Sequence, residues 1–226
     1  MCAELVGDPE WRALDPRERE VLWLAAVLHD IGKPQTTREE DGRLRAPGHA
    51  RAGAILARRL LWQAGVGWHT REAVCGLVRW HMALYHLLDR PDPVRQALAL
   101  SLDARPDLLR LLVLADGRGR IARDTEERLE TVELAYAHLD ELGCGHGPYP
   151  FASDHARFAY FASADAARDP AYPAFDDTLT TLTLLSGLPG AGKDRWIAEH
   201  ADPAAEVIGF DALRAERGAK RTDRTA

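Results

Sequence analysis

Apolar and polar positions recur with helical spacing through most of the chain. Asp15-Pro16-Arg17-Glu18 is a helix start, with a capping Asp, a Pro at the first helical position and a Glu three residues after the cap. The apolar stretch Val21–Leu28 follows, and Gly32 and Pro34 end the helix. Its crowded apolar content predicts burial on nearly all sides. A second helix is expected over His49–Ala64, with Ala52, Ile55, Leu56, Leu60 and Leu61 on one face. A third, capped by Thr70, carries Ala73, Val74, Leu77, Val78 and His81. Two more are expected over Pro93–Leu102 and Pro106–Ala115, then a long amphipathic helix from Asp124 and Thr125 to Leu142. No strand-like alternation interrupts these elements, so residues 1–143 are expected to form an all-α domain.

Gly143–Pro150 is a cluster of breakers. Residues 144–179 read as a connector rich in aromatics (Phe151, Phe158, Tyr160, Phe161, Tyr172, Phe175), with a short helix near Asp154–Phe161. Such a segment either packs onto a neighbouring domain or stacks a ligand. From Thr180 the pattern changes. Thr181–Ser186 is an apolar, β-prone run leading into glycines, and Glu206–Phe210 is a second strand candidate. The expected fold is therefore mainly α: a helical bundle followed, over 180–226, by an incomplete α/β module.

Composition narrows the classes. With 29 Lys plus Arg against 35 Asp plus Glu in 226 residues, the net charge of −6 excludes a grip on nucleic acid by bulk positive charge. It leaves room for a local patch, for which Arg51, Arg58, Arg59, Arg79, Arg118 and Arg120 are candidates. Val21–Leu28 is far shorter than the roughly 20 apolar residues of a membrane span, and Met1–Arg19 is too polar for a signal peptide. Cys2, Cys75 and Cys144 form no paired motif, which fits a reducing cytoplasm.

Candidate chemistry begins at His29-Asp30, at the end of the apolar helix. Imidazole and carboxylate together suit a divalent metal of the Mn, Mg, Ni or Co type, and an ionised Asp in so apolar a context needs a partner. Lys33, just beyond, offers a compact positive charge for a phosphate. His49 opens the second helix, His81 closes the third, and Asp116 follows Leu111–Ala115, where an acidic residue disfavours the helix C-terminus. In a bundle such side chains converge on one interior site. Individually, His49 and His81 also suit capping or core positions, and Asp116 a plain helix end.

With these residues in hand, the chain resembles the HD superfamily of metal-dependent phosphohydrolases. The doublet is His29-Asp30, the distal Asp is Asp116, and His49 and His81 fall where fuller sites have extra ligands. The resemblance implies one or two metal ions on His29, Asp30, His49, His81 and Asp116. It implies that Asp30 orients or deprotonates the attacking water, with Lys33, Arg79, Arg118 and Arg120 as phosphate clamps. Arg118 and Arg120 equally suit solvated loop positions. The hallmark's upstream His has no counterpart in residues 1–28, which implies a late start or a site one ligand short.

A second motif, Gly187-Leu188-Pro189-Gly190-Ala191-Gly192-Lys193, fits G-x-x-x-x-G-K, whose backbone N–H groups and Lys cradle nucleotide phosphates. Asp194 and Arg195 stand where a magnesium-binding hydroxyl is usual. In order, the two motifs resemble the bacterial fusion of an HD phosphohydrolase with a P-loop polynucleotide kinase, an RNA-end-healing enzyme. That likeness implies ATP at Gly187, Gly190, Ala191, Gly192, Lys193 and Asp194, with Asp211 as the base that accepts a hydroxyl proton. Asp211 alternatively caps a helix over Ala212–Arg217. The implied substrates are RNA or DNA ends, or free nucleotides, with no membrane partner. With only 47 residues after Leu179, the chain reads as truncated at both ends, and no kinase activity is expected. A chain that binds metal or nucleotide without turnover is the competing expectation. The sequence sets no oligomeric state.

Overall fold

A computed structural model describes residues 1–120, 124–163 and 168–218. The chain divides into two compact units, Met1–Asp176 and Asp177–Ala226. In the first, α1 (Cys2–Gly7), α2 (Pro9–Ala13) and α3 (Pro16–Leu28) are followed by a single turn, α4 (Lys33–Thr36), and a hairpin, β1 (Arg38–Glu40) and β2 (Arg43–Arg45). Then come α5 (His49–Gln63), α6 (Trp68–Trp80), α7 (Pro93–Asp103), α8 (Pro106–Arg118), α9 (Thr125–Glu141) and α10 (Asp154–Ala162). The expected helices are present, and the fold is mainly α.

The start of α3 forms as its sequence dictates. Asp15 accepts from the backbone N–H groups of Arg17 and Glu18, and Glu18 reaches back to the N–H of Asp15. The helix is not enclosed on all sides, however. Val21, Leu22, Ala25 and Ala26 are buried, whereas Trp23 and Val27 are exposed. The enclosed helix is α8, in which Leu108, Leu109 and every residue from Leu111 to Gly117 are buried. It packs against α1, α3, α6 and α9.

Two local expectations shift. α6 begins at Trp68 with Gly67 as its cap, so Thr70 lies inside the helix. The inner face of α5 is Gly53, Ala54, Ala57 and Leu61, while Ile55 and Leu60 are exposed. Small residues win this face because α6 comes close: a Cβ on Gly53 would meet Val78 Cγ1 at 3.3 Å. The hairpin overturns the expectation of no strands. Its turn is Asp41-Gly42, both at positive φ (53° and 70°), a combination this dipeptide favours.

Part of the aromatic segment packs together in the first unit, whereas Phe158, Tyr172 and Phe175 are exposed. Phe151, Tyr160 and Phe161 meet with ring centroids 5.0–5.8 Å apart. The Arg95 guanidinium donates to the carbonyls of Tyr160, Phe161 and Ser163, holding the C-terminal end of α10.

The second unit contains α11 (Lys193–His200) and α12 (Phe210–Glu216). Neither Thr181–Ser186 nor Glu206–Phe210 forms a strand, so the expected α/β module is absent among the described residues. A strand needs a neighbour for its N–H and C=O groups, and the described residues of this short unit supply none. Leu182 and Leu184 are each 82% exposed. Among the described residues no helix is long and apolar enough to cross a membrane.

Candidate metal centre

Five side chains from four helix ends meet inside the first unit. His29 is the C-cap of α3 and Asp30 follows it; His49 is the first residue of α5; His81 is the C-cap of α6; Asp116 lies in the last turn of α8. Helix ends suit this task because their side chains can turn inward without crossing a neighbouring turn. The approach of the turn after α3 to α5 depends on Gly32, where a Cβ would lie 2.2 Å from the carbonyl oxygen of His49 and 2.6 Å from the nitrogen of Gly53.

All three histidines are oriented in the same way. Nδ1 of His29 lies 2.8 Å from the carbonyl oxygen of Ala26, Nδ1 of His49 2.7 Å from that of Ala46, and Nδ1 of His81 2.8 Å from that of Val78. A carbonyl only accepts, so each Nδ1 carries a proton and each Nε2 is turned toward the centre. The Nε2 atoms of His49 and His81 face each other at 3.1 Å. Asp30 Oδ1 lies 3.4 Å from the first and 3.7 Å from the second. It is buried and accepts no hydrogen bond.

His29 completes the cluster, with Nε2 3.2 Å from Asp30 Oδ2 and 3.5 Å from Asp116 Oδ1. Burial opposes its charge, but the carboxylates of Asp116 and Asp30 outweigh burial and push its pKa up to about 9. Burial likewise works against ionised Asp30, yet His29 and Lys33 hold it well below the usual carboxylate range. Asp116 is lowered too, burial being overcome by His29 and Arg120. His81, 2% exposed, is depressed to about 4, chiefly by burial. The centre thus contains two ionised carboxylates, one imidazolium and a buried neutral imidazole.

These residues fit a divalent cation. Asp30, His49 and His81 each present a ligand atom, all within 4.8 Å of one another. Two Nε2 atoms 3.1 Å apart, beside an unpartnered carboxylate oxygen, repel unless a proton or a metal lies between them.

The other expected site residues scatter. Lys33 Nζ donates to Asp30 Oδ2 at 2.5 Å, at the edge of the centre. Arg120 pairs with Asp116 Oδ2. Arg118 is instead tied to Asp8 at 2.9 Å, and Arg79 turns to Asp103 at 3.5 Å. In a chain rich in Asp and Glu these local carboxylates claim both guanidinium groups, so neither is a free phosphate clamp. Arg58 is held by Glu72 in the same way.

In the second unit, residues 189–192 turn into α11, with Gly190 and Gly192 at positive φ. Lys193 Nζ donates to the carbonyls of Gly187 (2.8 Å) and Leu188 (3.0 Å), so its charge is committed to the loop itself. Without the preceding strand, the arrangement adds no support to the ATP expectation. α12 begins at Phe210, which places Asp211 inside the helix rather than at its cap; its side chain lies outside the described residues.

Sequence reasoning missed Gly32 and Gly53 as determinants of the site, and the carbonyls of Ala26, Ala46 and Val78. Gly32 stood out only as a helix stop, and backbone acceptors leave no mark in a sequence.

The chain belongs to the HD domain family, whose pattern matches residues 1–117. It is 42% identical over 107 residues to the CC-adding tRNA nucleotidyltransferase of Thermus thermophilus, across 46% of this chain and 23% of that protein. It is 36% identical over 107 residues to the bifunctional uridylyltransferase/uridylyl-removing enzyme of Ruegeria pomeroyi, across 45% of this chain and 11% of that one. A dITP/XTP pyrophosphatase from a Bradyrhizobium strain is 32% identical over 111 residues, across 49% of this chain and 48% of that protein. The matched stretches thus span less than half the length of these relatives. No solved structure matches.

Proposed function

We propose that the first unit is a metal-dependent phosphohydrolase acting on terminal phosphates of nucleic acids, in 2′,3′-cyclic, 2′ or 3′ form. The observation that carries this reading is the buried, unpartnered Oδ1 of Asp30 set against the Nε2 atoms of His49 and His81. His29, Asp30, His49, His81 and Asp116 would hold the metal. When bound, it lowers the pKa of coordinated water and neutralises phosphoryl oxygens. Asp30 would orient the attacking water through its carboxylate, and Lys33, ion-paired with that carboxylate, would turn from it to meet a phosphate oxygen. Arg120 holds Asp116 in place. The tRNA-directed name of one relative supports a nucleic-acid substrate, and three free cysteines fit a reducing cytoplasm. No kinase activity is proposed.

The name of the Bradyrhizobium relative favours a second reading, hydrolysis of free nucleotides. The protein loaded with manganese, nickel or cobalt separates the two. A short RNA ending in a 2′,3′-cyclic phosphate should be hydrolysed in preference to nucleoside mono- and triphosphates. Preference for the nucleotides selects the second reading. If nothing is turned over with any of these metals or with magnesium, the enzymatic reading itself fails.

A further inference from the structure

Between Asp30 and His49 the chain makes one excursion, the hairpin β1–β2, with one cross-strand pair that local energetics oppose. Arg38 stands directly opposite Arg45, whereas Glu40 opposite Arg43 is a favourable pair. Like charges placed opposite each other in an antiparallel pair are destabilising. Arg38 is partly relieved by Glu40 at 2.6 Å on its own strand. Arg43 and Arg45 are exposed and carry no ion pair among the described residues. Because side chains alternate along a strand, Arg38, Glu40, Arg43 and Arg45 share one face, and Glu39 and Leu44 the other. The first face carries a net positive charge, although the hairpin as a whole is balanced by Glu39, Glu40 and Asp41.

A charge conflict held in place on an exposed element is the mark of a surface built for something other than stability. In a chain of net charge −6 it is also a local exception. Here it borders the metal centre on both sides along the sequence: Lys33 and Asp30 lie before it, His49 and the exposed Arg51 after it.

We propose that the hairpin is the arm that receives the sugar–phosphate strand whose end enters the metal centre. Arg43 and Arg45, two residues apart and so about 6.7 Å along the strand, contact successive phosphates, and the polyanion relieves the Arg38–Arg45 repulsion. The partner is thus a single-stranded nucleic acid, read by its backbone and not by its bases. This deepens the proposed function and rests on it for the direction of the strand. Its test does not depend on turnover.

Binding of a labelled ten-nucleotide RNA with a plain 3′-hydroxyl is measured by fluorescence anisotropy with no metal added, alongside thermal melting. Arg45→Glu should weaken binding about 10-fold at low salt and flatten the salt dependence by roughly 0.7 of a log unit per log unit of salt or more. It should leave the melting temperature unchanged or raised, because the new carboxylate faces Arg38. Arg43→Gln should weaken binding less, and Arg17→Glu, on the distant start of α3, should not weaken it. Wild-type affinity in Arg45→Glu would overturn the proposal, as would a lowered melting temperature, since the repulsive pair is its foundation. Equal affinity for a dinucleotide and the ten-nucleotide strand would overturn it, and so would equally tight binding of poly-glutamate of matched charge. Because the probe is inert, a failure here is distinct from a failure to hydrolyse.

Discussion

Nε2 of His49 and Nε2 of His81 point at each other across 3.1 Å, while the other nitrogen of each ring is committed to a carbonyl three residues back. This pairing is unfavourable without a positive charge between the rings, and Asp30 Oδ1 adds a third electron-rich atom. The polypeptide therefore stores repulsion that a cation converts into attraction. Binding to the folded state alone adds stability of about 2.7 kcal/mol at 100 times the dissociation constant. Manganese, nickel or cobalt should raise the melting temperature of the wild type. Asp30→Asn, which keeps the shape and removes the charge, should lower metal affinity by more than about 100-fold and abolish the shift. A full shift in the Asp30→Asn variant would remove Asp30 from the ligand set.

The charge on His29 gives this binding a definite pH dependence. With its pKa at about 9, the ring is protonated near neutral pH, with Nε2–H directed to Asp30 and Asp116. A metal needs the Nε2 lone pair, so this proton must leave. Metal added to weakly buffered protein should release about one proton per ion near neutral pH and fewer above pH 9, where the ring is already neutral. Affinity should accordingly rise with pH up to about 9. Proton release unchanged in His29→Ala would show that His29 is not a ligand.

Much of this centre was legible in the sequence. His29, Asp30, His49, His81 and Asp116 were separable from the other histidines and acids because each sits where a helical pattern breaks, and the structure brings all five together. The hairpin was hidden because Arg38–Glu40 and Arg43–Arg45 alternate in charge rather than in hydrophobicity; only Asp41-Gly42 announced it. The pairing of Arg79 with Asp103 and of Arg118 with Asp8 was not legible, because a free guanidinium and a paired one look the same in sequence. The strand over Thr181–Ser186 had the right composition, but a strand is a property of two segments.

Gly32 decides how closely the doublet approaches α5. Gly32→Ala places a methyl group 2.2 Å from the carbonyl oxygen of His49, an atom of the backbone that cannot swing aside. The helix must retreat, carrying the His49 ring away from Asp30. The substitution should cost roughly 1–3 kcal/mol and reduce metal affinity at temperatures where the protein remains folded. Gly7→Ala, where a Cβ meets nothing within 4 Å, is the control and should change neither. Equal melting temperatures for the two variants would mean that α5 has room to adjust.

The second unit yields a prediction about backbone protection. Residues 181–186 form no strand, and Leu182 and Leu184 stand almost fully in solvent. Their amides should exchange with deuterium within seconds at neutral pH, as fast as an open loop. Amides inside α8, by contrast, should be among the slowest, because Leu108 through Leu114 is almost wholly enclosed. Repeating the exchange with excess ATP and magnesium tests the glycine loop as well. Lys193 must leave the carbonyls of Gly187 and Leu188 before it can meet a phosphate, so the expected outcome is no added protection over 181–193. Slow exchange across 181–186, with or without nucleotide, would mean that this run has found a strand partner and that the loop is set in a sheet after all.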